Sequence, residues 1–327
     1  MATADQLKAL IRCHAEGDED RFYAIAIQVA AQAARQGHTK LAQELRTIVD
    51  DAKVKSQAVT TTRGMRPVPL AQPRGELAGL LSVAYPKTRF AEMVVTESIS
   101  DRLDRVIHEQ RERARIVAHG FTPLRKLLLV GPPGTGKTMT AAALAGELGT
   151  PLFTIQLDGL ITKFMGETAA KLRIVFDAVR STRGVYLFDE FDALGGERGA
   201  RNDVGEIRRV LNSFLQFLEQ DDGDSLIICA TNHIKLLDRA LFRRFDAVLH
   251  YELPTSEVAI QVMQSRLRLL ETGTVNWQRA ANAGEGLSHA EFTHACEQAA
   301  KNAILAHSNA VSDRELVRAL EERRTRV

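Results

Sequence analysis

Cysteine is scarce in this chain. Cys13, Cys229 and Cys296 are the only three in 327 residues, and no two stand at the spacing of a metal module or a disulfide scaffold. That argues against a disulfide framework and a zinc site, and fits small packing thiols kept reduced. Charge of one sign is equally lacking. Lys and Arg total 43 against 41 Asp and Glu, a formal net charge of +2. So small an excess gives no long-range field that would by itself draw in nucleic acid or an anionic membrane; either partner would need a local patch. No apolar segment approaches the ~18 residues of a membrane span. The N-terminus has no basic flank leading into an apolar run, so the expected compartment is the cytoplasm. Neither His-Glu-x-x-His nor Gly-x-Ser-x-Gly occurs, which leaves the chain without a candidate protease site of its own.

What is present is enough apolar material, 45% of residues, for a substantial core and two or three compact units. Over residues 1–55, Phe22, Ile25, Ala26, Val29, Ala30 and Ala33 mark one helical stripe, and Tyr23, Ile27 and Ala34 a second side. A helix apolar on two sides needs covering twice, so the segments around Leu7, Leu10 and Ile11 and around Leu41, Leu45, Ile48 and Val49 are its partners. A small three-helix bundle is expected there. Residues 56–89 begin with a Thr, Arg, Pro and Gly-rich run carrying Arg63, Arg66 and Arg74, and read as a linker.

From 90 to 254 short apolar runs (126–130, 152–157, 185–189, 225–231 and 247–253) alternate with amphipathic helices. One helix carries Leu172, Val175, Phe176 and Val179; another carries Ile207, Val210, Leu211, Phe214, Leu215 and Leu218. The pattern predicts an α/β fold, a five-stranded parallel sheet sandwiched by helices. Beyond Pro254 four helical segments follow over 255–327, forming a helical lid. The third opens with Ser288-His-Ala-Glu291 and the last with Ser312-Asp-Arg-Glu315, both at capping-box spacing.

Chemistry gathers at the strand ends. Gly131-Pro132-Pro133-Gly134-Thr135-Gly136-Lys137-Thr138 follows an apolar strand and opens a helix-forming run at Met139, the context that a phosphate-binding P-loop requires. Its glycines let backbone N–H groups close around a β-phosphate at a helix N-terminus. Lys137 then bridges β- and γ-phosphates, and the Thr138 hydroxyl ligates Mg²⁺. The run Val185-Tyr-Leu-Phe-Asp189-Glu190 ends an apolar strand in two carboxylates. Unpaired carboxylates are costly to bury, whereas ligands sit at that end of a parallel sheet. Asp189 therefore suits the Mg²⁺ shell, and Glu190 suits a base polarising water. A third apolar strand ends at Asn232, fitted to orient that water or sense the γ-phosphate, and Arg243 and Arg244 stand side by side before the last strand as candidate arginine fingers for a neighbour's γ-phosphate.

In this order and spacing, Gly-Pro-Pro-Gly-Thr-Gly-Lys-Thr, Leu-Phe-Asp-Glu, Ala-Thr-Asn and Leu-Phe-Arg-Arg-Phe-Asp resemble an AAA+ ATPase of the protein-remodelling clade, over roughly residues 90–327. The adjacent arginines are closest to the pattern of the severing and membrane-remodelling branch. The resemblance implies ATP and Mg²⁺ as cofactors and Met139 and Ala290 among the nucleotide-binding residues. Gly286-Leu-Ser-His-Ala-Glu-Phe292 is similar to the family's lid motif, whose small residues let the lid approach the nucleotide; here His289 stands where that motif has its second glycine. The resemblance also maps Lys163, Phe164, Met165 and Gly166 onto a first pore loop, and residues 195–205, with Arg198 and Arg201, onto a second. It implies a homo-oligomeric ring, six subunits by analogy, that pulls a protein substrate through its pore, with the N-terminal bundle as a docking site for substrate or partner. Two other uses of the motor stay open: a nucleic-acid motor or loader, and an ATP-dependent switch controlling a partner enzyme such as a protease. A basic pore would favour nucleic acid, and Phe164-Met165 is not basic.

Overall fold

In a computed structural model, the chain is described over residues 75–160, 165–194, 204–233 and 239–325. Six strands form one sheet: β1 (Leu81–Ala84), β2 (Lys126–Val130), β3 (Leu152–Ile155), β4 (Val185–Phe188), β5 (Leu226–Thr231) and β6 (Ala247–His250). Their order is β1-β3-β4-β5-β2-β6. All neighbouring pairs are parallel except β1 with β3. The five parallel strands are those expected, with ends trimmed by up to three residues. The sheet carries one strand more than the five expected, because β1 lies in the stretch 56–89 read as linker. β1 is four residues long at the sheet edge, and only Leu81 in it is buried. So brief an alternation beside Pro- and Gly-rich sequence leaves little periodicity to detect.

The strands read as unbroken apolar runs because both faces are covered. Leu128 and Val130 of β2, Tyr186 and Phe188 of β4, and Ile227 and Cys229 of β5 belong to one core; Leu127 and Leu129, Val185 and Leu187, and Ile228 and Ala230 belong to the other. Alternate side chains thus fill opposite layers. The second core is closed by α1 (Glu97–Arg111), with α2 (Arg113–Ala118) following it, and by α3 (Lys137–Leu148). The first lies under α4 (Leu157–Leu160), α5 (Met165–Ser181), α6 (Val204–Gln220) and α7 (Arg239–Phe242). The stripes expected on α5 and α6 supply Leu172, Val175, Phe176, Val179, Phe214 and Leu218 to it. Phe176, Phe188 and Phe214 make an aromatic cluster, with Phe188 and Phe214 edge to face at 5.0 Å between ring centres.

Four helices follow the sheet: α8 (Ser256–Leu267), α9 (Trp277–Ala283), α10 (His289–Leu305) and α11 (Asp313–Arg324), around a core of their own. Both expected capping boxes are formed, Ser288 with Glu291 and Ser312 with Glu315. The bundle expected over 1–55 and the pore-loop residues Lys163, Phe164, Arg198 and Arg201 lie outside the described residues. No helix among the described residues is long and apolar enough to cross a membrane.

Candidate functional site

β4, β5 and β2 lie side by side, with Val130 opposite Thr231 and Phe188 opposite Cys229. The residues that follow these strands, Gly131, Asp189 and Asn232, therefore meet at the carboxyl edge of the sheet, where parallel sheets bind ligands. The turn from β2 into α3 depends on glycine at two points. Gly134 (φ +73°) and Gly136 (φ +99°) are left-handed, the second serving as N-cap of α3. A Cβ on Gly134 would also strike Ser288 Oγ of the lid. That close approach lets the Ala290 N–H donate to the Gly134 carbonyl at 3.0 Å.

Inside the loop, Lys137 Nζ donates to the carbonyls of Gly131 and Pro132, each at 2.7 Å, and Thr135 Oγ1 donates to Pro132 at 2.8 Å. Burial depresses the pKa of Lys137, with Asp189 and Asp192 pulling the other way. Thr138 Oγ1 donates to Asp189 Oδ2 at 2.7 Å, which sets the two hard oxygens side by side. Pro133 and Met139 are exposed.

Glu190 has φ +51°, rare for a residue with a side chain, and its N–H donates to Asp189 Oδ1 at 2.9 Å. What holds that turn is the next residue. Phe191 is wholly buried against Phe214, ring centres 4.8 Å apart, and so anchors the strained step to the core. Two residues on, Asp192 Oδ1 accepts from Thr231 Oγ1 at 2.9 Å and from the Asn232 N–H at 3.3 Å. Asp192 thereby ties the end of β5 to the carboxylate turn after β4. Sequence reasoning missed it, although the spacing Asp-Glu-Phe-Asp was the available signal. Tyr251 was missed too: its hydroxyl shares a 2.7 Å hydrogen bond with Thr140 Oγ1, its N–H donates to Val130, and burial pushes its pKa up to about 12.

Arg243 and Arg244 are not brought to this edge. They precede β6, and Asp246 beside them accepts from the N–H groups of Arg125 and Lys126, at the start of β2. The pair thus lies at the amino end of the sheet, about 16 Å from its own loop by the length of a five-residue strand. Arg243 is exposed, and Arg244 pairs with Glu219 at the end of α6. Of the first pore loop, only the backbones of Met165 and Gly166 are described, as the start of α5.

Beside the loop opens a cleft lined by Met93, Val94 and Val95 ahead of α1, by Val262 and Leu269 of the lid, by Thr135, Gly136 and Met139, and by the charged Glu92, Arg266 and Arg268, with a volume of about 320 Å³. Nothing in the sequence marked these walls, because they come from a connecting segment and from a lid helix more than a hundred residues apart. Phosphate fits the glycine cradle and the N-terminus of α3, and an apolar base fits the cleft. Thr138 and Asp189 could offer a cation two oxygens. Among the described residues no cluster of three or more His, Cys, Asp or Glu could hold a metal ion. Such a pair suits a cation that keeps water and phosphate as its remaining ligands.

A glycine cradle of this kind, with hard oxygens beside it and an apolar slot for a base, defines a P-loop nucleotide-binding protein. Comparison with known proteins narrows the class. The model of the ATPase family associated with various cellular activities (AAA) matches residues 127–253. A relative named as an uncharacterized AAA family ATPase, y4kL, of Sinorhizobium fredii, is 32% identical over 323 residues, 98% of this chain and 96% of its own length. The chain belongs to the AAA family of ATPases and binds and hydrolyses ATP. A proteasome-activating nucleotidase of Methanoregula boonei is 35% identical over 212 residues, 62% of this chain but only 48% of that protein. Among solved structures, the crystal structure of the FIGL-1 AAA domain matches with a TM-score of 0.60 and 24% identity, over 79% of this chain and 92% of that one, a likeness of fold.

Proposed function

We propose that this ATPase works in the cytoplasm as a ring, six subunits by family analogy, whose ATP cycle pulls polypeptide through a central pore. The observation that carries the reading is the separation of Arg243 and Arg244 from the chain's own loop by the length of the sheet. Guanidinium groups so far from their own nucleotide suit a neighbour's γ-phosphate, which makes hydrolysis a property of two adjoining subunits.

Within one site the residues divide the work. The backbone of residues 131–136 and Lys137 hold the phosphates. Thr138 and Asp189 would hold Mg²⁺, which neutralises phosphate charge when bound. Glu190 takes the proton of the attacking water, and Asn232, held at its backbone by Asp192, orients that water. Arg243, reaching across, stabilises charge on the γ-phosphoryl group; Arg244 joins it once Glu219 releases it. Phe164, with Lys163, Met165 and Gly166, grips the polypeptide.

Mixing tests this. Arg243→Ala has an intact loop, Lys137→Ala an intact finger, and each alone is expected to be inactive. Combined, they are expected to recover part of the wild-type turnover, measured as phosphate release, because one junction then has both. No recovery, or full turnover by an Arg243→Ala/Arg244→Ala monomer, ends the reading. Phe164→Ala is expected to lose processing of a substrate captured by a Glu190→Gln trap by a larger factor than it loses hydrolysis.

A second reading is favoured by one relative's name: the proteasome-activating nucleotidase is named for activating a proteasome. In it, this ATPase regulates a separate partner enzyme, and the trap would retain a folded protease. A nucleic-acid motor would instead hydrolyse ATP faster when DNA is added.

A further inference from the structure

His289 opens α10 directly after its N-cap Ser288 and lines the cleft beside Thr135 and Gly136. Its backbone is fixed from two sides. Ser288 Oγ accepts from the Glu291 N–H at 3.4 Å, and the Ala290 N–H is bound to the Gly134 carbonyl at 3.0 Å. The main chain at His289 therefore keeps its place beside the loop.

Its two nitrogens differ. Nδ1 is buried with no hydrogen-bond partner among the described residues, so Nε2 is the nitrogen left to the cleft. A protonated ring would carry an N–H at each position, and the one at Nδ1 would face protein that offers no acceptor. Burial holds the imidazole below its ordinary pKa, and the positive end of the α10 dipole acts in the same direction. In the neutral ring the cheaper tautomer puts the proton on Nε2, since a sealed lone pair costs less than a sealed donor.

We propose that Nε2–H of His289 donates a hydrogen bond to a ribose hydroxyl of the bound nucleotide. Position selects the sugar. The loop takes phosphates, the apolar lining of Met93, Val94, Val95 and Val262 takes the base, and His289 lines the same cleft next to Ala290, whose N–H is bonded to the loop at Gly134. A neutral donor also suits a hydroxyl better than a phosphate. The inference rests on the reading of the cleft as the nucleotide's. It makes His289 a specificity residue, at a position where the related lid motif carries glycine and offers no side chain at all.

The test compares the Kd of ATP, 2′-deoxy-ATP and 3′-deoxy-ATP, by titration calorimetry, in full-length Glu190→Gln protein. With His289 present, ATP is expected to bind about 3- to 10-fold more tightly than one of the deoxy nucleotides, the range of one net hydrogen bond. His289→Ala should bring that ratio close to one by weakening ATP alone. His289→Gln, whose amide nitrogen comes near the position of Nε2, should restore part of it. Should the Ala variant fail to fold, His289→Asn keeps a polar side chain but ends short of Nε2, and must also lose the ratio. A ratio unaltered by these substitutions, or equal losses for all three nucleotides, overturns the proposal in favour of packing. If Glu190→Gln protein with His289 intact binds none of the three, the reading of the cleft fails as well.

Discussion

Asp192 carries two hydrogen bonds that join neighbouring strand ends, one from Thr231 Oγ1 and one from the Asn232 N–H. Asp192→Ala leaves both donors without their carboxylate, at a cost of about 1–3 kcal/mol in a urea melt. Turnover should fall further than ATP affinity, because Asn232 loses its support while no hydrogen bond within the loop is broken; equal falls in both would make Asp192 a general stabiliser. Titration gives a second prediction at this scale. The folded imidazole of His289 is depressed from the ordinary 6.5, so below that pH the unfolded chain takes up a proton that the folded chain resists. Unfolding free energy then rises with pH across the window between the folded pKa and 6.5, and the contribution is lost as pH falls through it. The charged groups that line the same cleft are Glu92, Arg266 and Arg268. In thermal melts from about pH 8 to pH 5, wild-type protein should lose stability relative to His289→Gln only on the acid side. A flat difference would remove the depressed pKa.

At the scale of elements, the turn after β4 shows how a strained site is held. Glu190 sits at positive φ because Phe188 and Phe191 on either side are pinned in the aromatic cluster with Phe176 and Phe214. Phe191→Ala should cost about 3–5 kcal/mol in stability. It should also slow hydrolysis beyond what the loss of folded protein explains, and a specific activity equal to wild type at a temperature well below the melt would disprove the link. Legibility in the sequence divides along the same line. The loop from Gly131 to Thr138, the carboxylates 189 and 190, and both serine caps were readable because each is a local pattern with a local cause. β1 was not, being four residues on an edge with one buried side chain. Nor were the walls of the cleft, since Val94 and Val262 are ordinary apolar residues until folding brings them to one cleft. Asp192 lay between the two cases, close to a legible motif but defined by what it binds on another strand.

For the molecule as a whole, one buried ion pair fastens the amino end of the sheet. Arg125, next to β2, pairs with Asp221 after α6, and both side chains are almost fully enclosed. Removing one member leaves the other charged and buried, so Asp221→Ala should lower stability by about 3–5 kcal/mol, read from the denaturant midpoint. A change under about 1 kcal/mol would mean that water reaches Arg125. Among the described residues, both capping boxes, the lid core and the two sheet cores belong to one compact unit.

Asp246 grips the start of β2 while the glycine cradle hangs from its other end. In the ring proposed above, each subunit is thus a strut of fixed length between two ATP molecules, one held and one touched. A strand stiffened by neighbours on both sides cannot shorten, so any change of pitch or diameter during work must be absorbed where subunits abut or where the lid swings, and none within the sheet itself.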